Sequence, residues 1–172
     1  MFIDPHAAHA FIEGYKRLLS EFGAQSKNEP HEQLLQRLIA ARRVAVQTPS
    51  RLDAAFASID AQGDAVPQDI VCAIKSLQLK RWVYLRDTTR YSVFIEANGG
   101  DAYAVLGLTN RIRDMLGGSA VVFTAGVVAY EGRYVCDGLI EGPIWLGSNL
   151  KREIGVTLAE LKRSGHFHVR AL

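Results

Sequence analysis

Asp137 is the acidic residue whose surroundings most call for a chemical explanation. It stands in the run Arg133-Tyr134-Val135-Cys136-Asp137-Gly138-Leu139. Strand alternation puts it on one side with Val135 and Leu139, and Arg133 opens the run as a candidate binding residue. A carboxylate between apolar neighbours is costly unless hydrogen-bonded or paired, and carboxylates so placed are enriched where acid–base work is done. Asp137 is therefore the candidate catalytic group. The plainer reading is a strand-end Asp bonding backbone N–H groups or an Arg, with Gly138 marking a bulge, and that reading is preferred.

His166 and His168 form an H-x-H pair. On an extended segment both rings point to one side, and with Asp137 or Cys136 they would make a divalent-metal site. No second pair of ligands accompanies them, so solvated histidines are preferred and no metal is expected. His6 and His9, three apart on a predicted helix, have the same deficiency. Cys136 as a nucleophile needs a neighbouring base and a lowered pKa, and no catalytic cysteine signature surrounds it. Cys72 and Cys136 both read first as small buried hydrophobes.

Lys80, Trp82, Tyr84 and Arg86 share one face of a predicted strand, the pattern of an aromatic and basic platform for single-stranded nucleic acid. Trp82 and Tyr84 are the binding candidates on that account. Packing beneath the N-terminal helices is the preferred role for both, and Arg37, Arg42 and Arg43 read as a solvated helix face. Gly99-Gly100 and Gly117-Gly118 fall where turns are already required. Neither the Rossmann glycine pattern nor a phosphate loop is present, and no cofactor is expected.

The elements that must position these residues follow from hydrophobic period. Asp4-Pro5 starts a helix whose Phe11, Ile12, Tyr15, Leu18, Leu19 and Phe22 make one apolar stripe, ended by Gly23. After a polar connection at 25–29, Pro30 starts a second helix that ends before Thr48-Pro49. Ser50 with Asp53 resembles a capping box for a third, and Pro67 opens a fourth. From Lys80 the period becomes two. Residues 82–85 and 91–95 are strands, and Asn98-Gly99 turns the chain into a third at 102–108. Thr109 caps a short helix at 110–116. Residues 120–129 read as a central strand apolar on both faces, 133–140 as its hairpin partner and 144–146 as a short edge strand. Ser148-Asn149 caps a last helix ended by Gly165, which leaves 166–172 as a tail.

The run Tyr103-Ala-Val-Leu-Gly-Leu-Thr109, with Glu131-Gly-Arg-Tyr-Val-Cys-Asp-Gly-Leu-Ile140, resembles segments of uncharacterised bacterial α+β proteins that carry a G-R-x-V-x-D-G hairpin. The resemblance supports a hairpin arm at 131–140 and implies no activity.

Composition bounds the rest. In 172 residues, 48% are apolar and 22% charged, ordinary values for a globular protein. Lys and Arg number 20 against 18 Asp and Glu, and residues 1–78 and 79–172 carry net charges of −1 and +3. So even a balance argues against nucleic acid or an anionic membrane as partner. No stretch approaches the roughly 18 apolar residues of a membrane span, and the opening residues lack a basic, apolar leader. The expected setting is the cytoplasm of a bacterium. The expected architecture is one α+β domain: N-terminal helices (1–78) packed on a curved antiparallel sheet of five or six strands (79–172), with a C-terminal helix. The leading functional expectation is a non-catalytic binding or protein-interaction module, engaging another protein or a second copy of itself. The alternatives are a small hydrolase-like or metal-dependent enzyme centred on Asp137, and an RNA-binding module using the first hairpin.

Overall fold

A computed structural model describes residues 1–23 and 30–171, so the polar connection at 25–29 lies outside the described residues. The architecture is α+β, with six helices and a seven-stranded, mostly antiparallel sheet among the described residues. The chain forms two compact units, residues 6–77 and residues 1–5 with 78–172. The division between Leu77 and Gln78 falls close to the expected change of period at Lys80.

The first unit carries α1 (Pro5–Glu21), α2 (His31–Gln47), α3 (Pro49–Ala61) and α4 (Gln68–Lys75). The stripe on α1 is buried at Phe11, Tyr15, Leu18 and Leu19. At Gly14 an added Cβ would sit 2.8 Å from Ile70 Cγ2, so α1 and α4 approach closely there. The start of α3 differs from expectation. Thr48 is its N-cap, without a side-chain hydrogen bond, and Pro49 occupies the first turn. Proline's fixed φ and missing N–H set that start without help from Ser50. Two exposures also differ. Cys72 is exposed rather than buried, and Arg42 is wholly buried rather than solvated.

The second unit is built on a closed ring of strands. In chain order it comprises β1 (Gln78–Asp87), β2 (Ser92–Glu96), β3 (Ala102–Leu106), α5 (Ile112–Leu116), β4 (Val121–Tyr130), β5 (Arg133–Cys136), β6 (Glu141–Trp145), α6 (Ser148–Arg163) and β7 (Phe167–His168). The long β1 pairs antiparallel with β4 from Gln78 to Tyr84 and with β2 from Trp82 to Asp87, shifting register between Tyr84 and Arg86. The ring therefore runs β1-β2-β3-β5-β4 and returns to β1, which carries the curvature expected of the sheet to closure. The β3–β5 and β3–β7 pairings are parallel. In this ring the non-consecutive β3 and β5 are neighbours, and β1 pairs along both of its edges. Ile112 and Leu116 of α5, the helix between β3 and β4, belong to the core of this barrel.

Inside the barrel lie Trp82, Tyr84, Phe94, Tyr103, Phe123 and Cys136. Edge-to-face pairs lock them, Phe94 with Phe123 at 5.3 Å and Trp82 with Tyr103 at 5.5 Å. The outer face of β1 and β2 is apolar too. Val83, Leu85, Val93 and Ile95 pack with Ala102 of β3 and with Leu158 and Leu161 of α6.

Two local features close the unit. At the Asn98-Gly99 turn Gly99 takes φ +78°, which glycine adopts without steric cost. At the end of β3, Gly107 bridges to Phe2. A Cβ on Gly107 would fall 1.9 Å from the Asn110 carbonyl oxygen, so only glycine fits.

Candidate functional site

Asp137 lies just past β5 and is buried. Its Oδ1 accepts hydrogen bonds from the backbone N–H of Gly126 (3.2 Å) and of Leu139 (3.1 Å). Its own N–H donates to the Gly126 carbonyl at 2.9 Å. Gly138 beside it takes φ +79°. The carboxylate thus fastens the turn after β5 to β4. Arg133, at the other end of β5, is exposed.

The two histidines gather on a different carboxylate. His166 Nδ1 and His168 Nε2 lie 2.9 and 3.0 Å from Asp101 Oδ1. This corrects the expected grouping with Asp137. Phe167–His168 form a strand rather than part of a tail, because β7 pairs with β3 at Ala102 and Tyr103 and so passes beside Asp101. An ionised carboxylate only accepts, so His166 carries its proton on Nδ1 and His168 on Nε2. The hydrogen bonds from His168 and then His166 hold Asp101 below the usual carboxylate range. The two ring nitrogens converge on one oxygen, and among the described residues no group of three or more His, Cys, Asp or Glu is arranged to hold a metal ion. His6 and His9 are both exposed on α1.

The polar cluster continues inward from His168. Its ring lies 5.0 Å from that of Tyr103, whose hydroxyl donates to Glu96 Oε1 at 3.3 Å. Lys80 forms an ion pair with the same Glu96 oxygen. Burial, followed by the negative charges of Glu96 and Asp101, pushes the Tyr103 phenol upward, so it remains a proton donor. The whole arrangement ties β1, β2, β3 and β7 together at one end of the barrel.

The aromatic binding candidates are not at the surface. Trp82 and Tyr84 are completely buried. Trp82 Nε1 donates to the Ala125 carbonyl at 2.9 Å, and the Tyr84 hydroxyl donates to Asp87 at 2.9 Å. Burial is also the main cause that raises the Tyr84 pKa, followed by its hydrogen bond to Asp87. Neither ring is available to stack on a base. They turn into the barrel because β1 curls to pair on both sides. The outer face of β1 and β2 is covered by Leu158 and Leu161 of α6. Cys136 is likewise sealed in the core.

The residue that sequence reading passed over is Trp145. It lies on β6, which has β4 as its one neighbour among the described strands. Trp145 is 58% exposed and Ile144 53%. The indole is nonetheless fixed, because its Nε1 donates to the Leu116 carbonyl at 3.2 Å at the end of α5. It lies against Gly118, where an added Cβ would be 3.5 Å from Nε1. Lys151 of α6 borders the same loop through a 3.0 Å bond to Ser119 Oγ. Pro143 removes one N–H from β6, a common guard against strand addition at an open edge. The available signal was the edge strand itself, a Gly-Pro pair followed by three large apolar residues, Ile144, Trp145 and Leu146.

No family model, curated protein or solved structure matches this chain.

Proposed function

We propose that the chain is a non-catalytic protein-interaction module that docks a partner protein through β6, with Trp145 as the anchor. One observation carries this reading: an indole more than half exposed is held in place by a hydrogen bond to the Leu116 carbonyl. Tryptophan is enriched among residues that dominate binding energy, and a side chain already fixed loses little freedom on docking.

The kind of partner follows from size and edge chemistry. A wholly buried aromatic contributes about 150–250 Å². Trp145 with Ile144 therefore falls well short of the ~800 Å² per partner of a stable interface. That favours a transient contact with a different protein, which offers an apolar pocket, over a permanent dimer. Pro143 on the edge favours side-chain insertion over strand addition. Lys151, bonded to Ser119 next to the Gly118 that the indole lies against, suits an acidic rim on that pocket.

The reading includes a bacterial, cytoplasmic setting, in keeping with free thiols at Cys72 and Cys136. Among the described residues no helix is long and apolar enough to cross a membrane.

The test places a photo-crosslinking amino acid at position 144 of the full chain, identifies the protein captured in source lysate, and titrates that protein, purified, against the chain. Support requires a 1:1 isotherm that weakens in Trp145→Ala and is unchanged in Arg90→Ala, an exposed position in another loop. Equal affinity for wild type and Trp145→Ala contradicts the reading.

A further inference from the structure

We propose that the helical unit holds a small-molecule site, a cleft among its four helices that takes a neutral, largely apolar ligand. The cleft has a volume of about 270 Å³, and Leu18, Ala45, Leu52 and Ile74 form much of its wall. Leu18, Ala45 and Ile74 are themselves buried, so the floor is set by core side chains. An apolar cavity of about 150 Å³ already admits benzene, and sites for drug-sized ligands begin near 300 Å³. The occupant is therefore about the size of a substituted single ring or an eight-carbon chain.

The charged groups around the cleft argue for a neutral molecule. Lys75 Nζ, at the cleft, lies 2.6 Å from Asp53 Oδ1. An anionic ligand would have to displace Asp53 from Lys75, exchanging one carboxylate for another, and would then face the released Asp53 charge. Arg42, wholly buried in the wall, is engaged by other groups of the protein. Apart from Tyr15, Arg42 and the Asp53–Lys75 pair, the lining of the cleft is apolar. This site is independent of the docking surface on β6, since its lining lies wholly within residues 6–77.

The experiment titrates the full chain with 1-octanol and, in parallel, with octanoate, and follows the methyl resonances of Leu18 and Ile74. Octanol is expected to shift both methyls saturably, with octanoate binding about tenfold more weakly. Leu52→Trp, which fills the cleft from a half-buried position, is expected to weaken octanol about tenfold while the chain keeps a folded spectrum. No saturable shift with octanol, tighter binding of octanoate, or undiminished binding to a folded Leu52→Trp variant would each overturn the proposal. Should Leu52→Trp fail to fold, the wild-type titrations with the two probes decide the matter alone.

Discussion

His168 Nε2 lies 3.0 Å from Asp101 Oδ1, 67 positions away in the chain, and this bond fastens the last strand to the third. With His166 on the same oxygen, the contact acts as a clasp on the segment after α6. Asp101→Asn removes the charge that both rings bond. Exposed pairs of this kind are worth about 0.2–1 kcal/mol, so global stability should fall by less than about 1 kcal/mol. Amide exchange at Phe167 and His168 should quicken while β1 and β4 stay protected. Unchanged exchange in β7 would show that strand pairing alone holds the segment.

The same carboxylate sets a pH dependence. Its pKa is lowered in the folded chain from an ordinary value of 3.8. Its stabilising contribution is thus fully present above that ordinary value and is lost as pH falls through the lowered folded value. The stability difference between wild type and Asp101→Asn should therefore vanish as pH falls through that lowered value. Denaturant melts in acid measure it, and a difference that persists well below the ordinary carboxylate range contradicts the assignment.

Gly107→Ala should be among the most damaging small substitutions. The new methyl group would fall 1.9 Å from the Asn110 carbonyl oxygen, a backbone atom that cannot turn aside. A cost of about 1–3 kcal/mol or more is expected, together with loss of the Phe2–Gly107 bridge. Urea unfolding at constant m-value reads it directly, and a stability within 0.5 kcal/mol of wild type, the scatter of neutral surface changes, would mean the loop relocates freely.

Leu158→Ala tests the cover on the barrel. Leu158 is 3% exposed and packs with Val83, Leu85, Val93 and Ile95. Truncating a buried leucine costs about 2–5 kcal/mol, and the exposed apolar face should then bind a hydrophobic dye. A loss below about 1 kcal/mol would show α6 to be loosely seated, beneath the range of a packed core leucine.

Much of this molecule is legible locally. The stripe on α1, the Asn98-Gly99 turn and the edge position of Ile144 each follow from a few neighbouring residues. What escaped depends on partners distant in sequence. Trp82 and Val83 are both buried, so alternation along β1 cannot reveal which side is the interior. The closure of the ring depends on Gln78 pairing with Val127, and no local period records that. The two-residue β7 exists only because Asp101 and β3 receive it. Ser148, expected as a cap, makes no side-chain capping bond, and Gly147 holds that position instead. Strand alternation marks Asp137 as a carboxylate among apolar neighbours, yet the amides that bond it belong to a glycine in β4 and a leucine two residues on. Trp145 escaped because an exposed tryptophan and a buried one look alike in a short apolar run.

The affinity of the captured partner for wild type and Trp145→Ala tests the central claim most directly. Hot-spot truncation costs at least about 2 kcal/mol, roughly thirtyfold in Kd, while the exposed position predicts a change in stability of no more than about 1 kcal/mol, the net worth of its one hydrogen bond. A thirtyfold loss of affinity in a chain that melts like wild type is the expected result. Equal Kd values for the two chains, measured by titration calorimetry, would contradict the assignment of β6 as the docking surface.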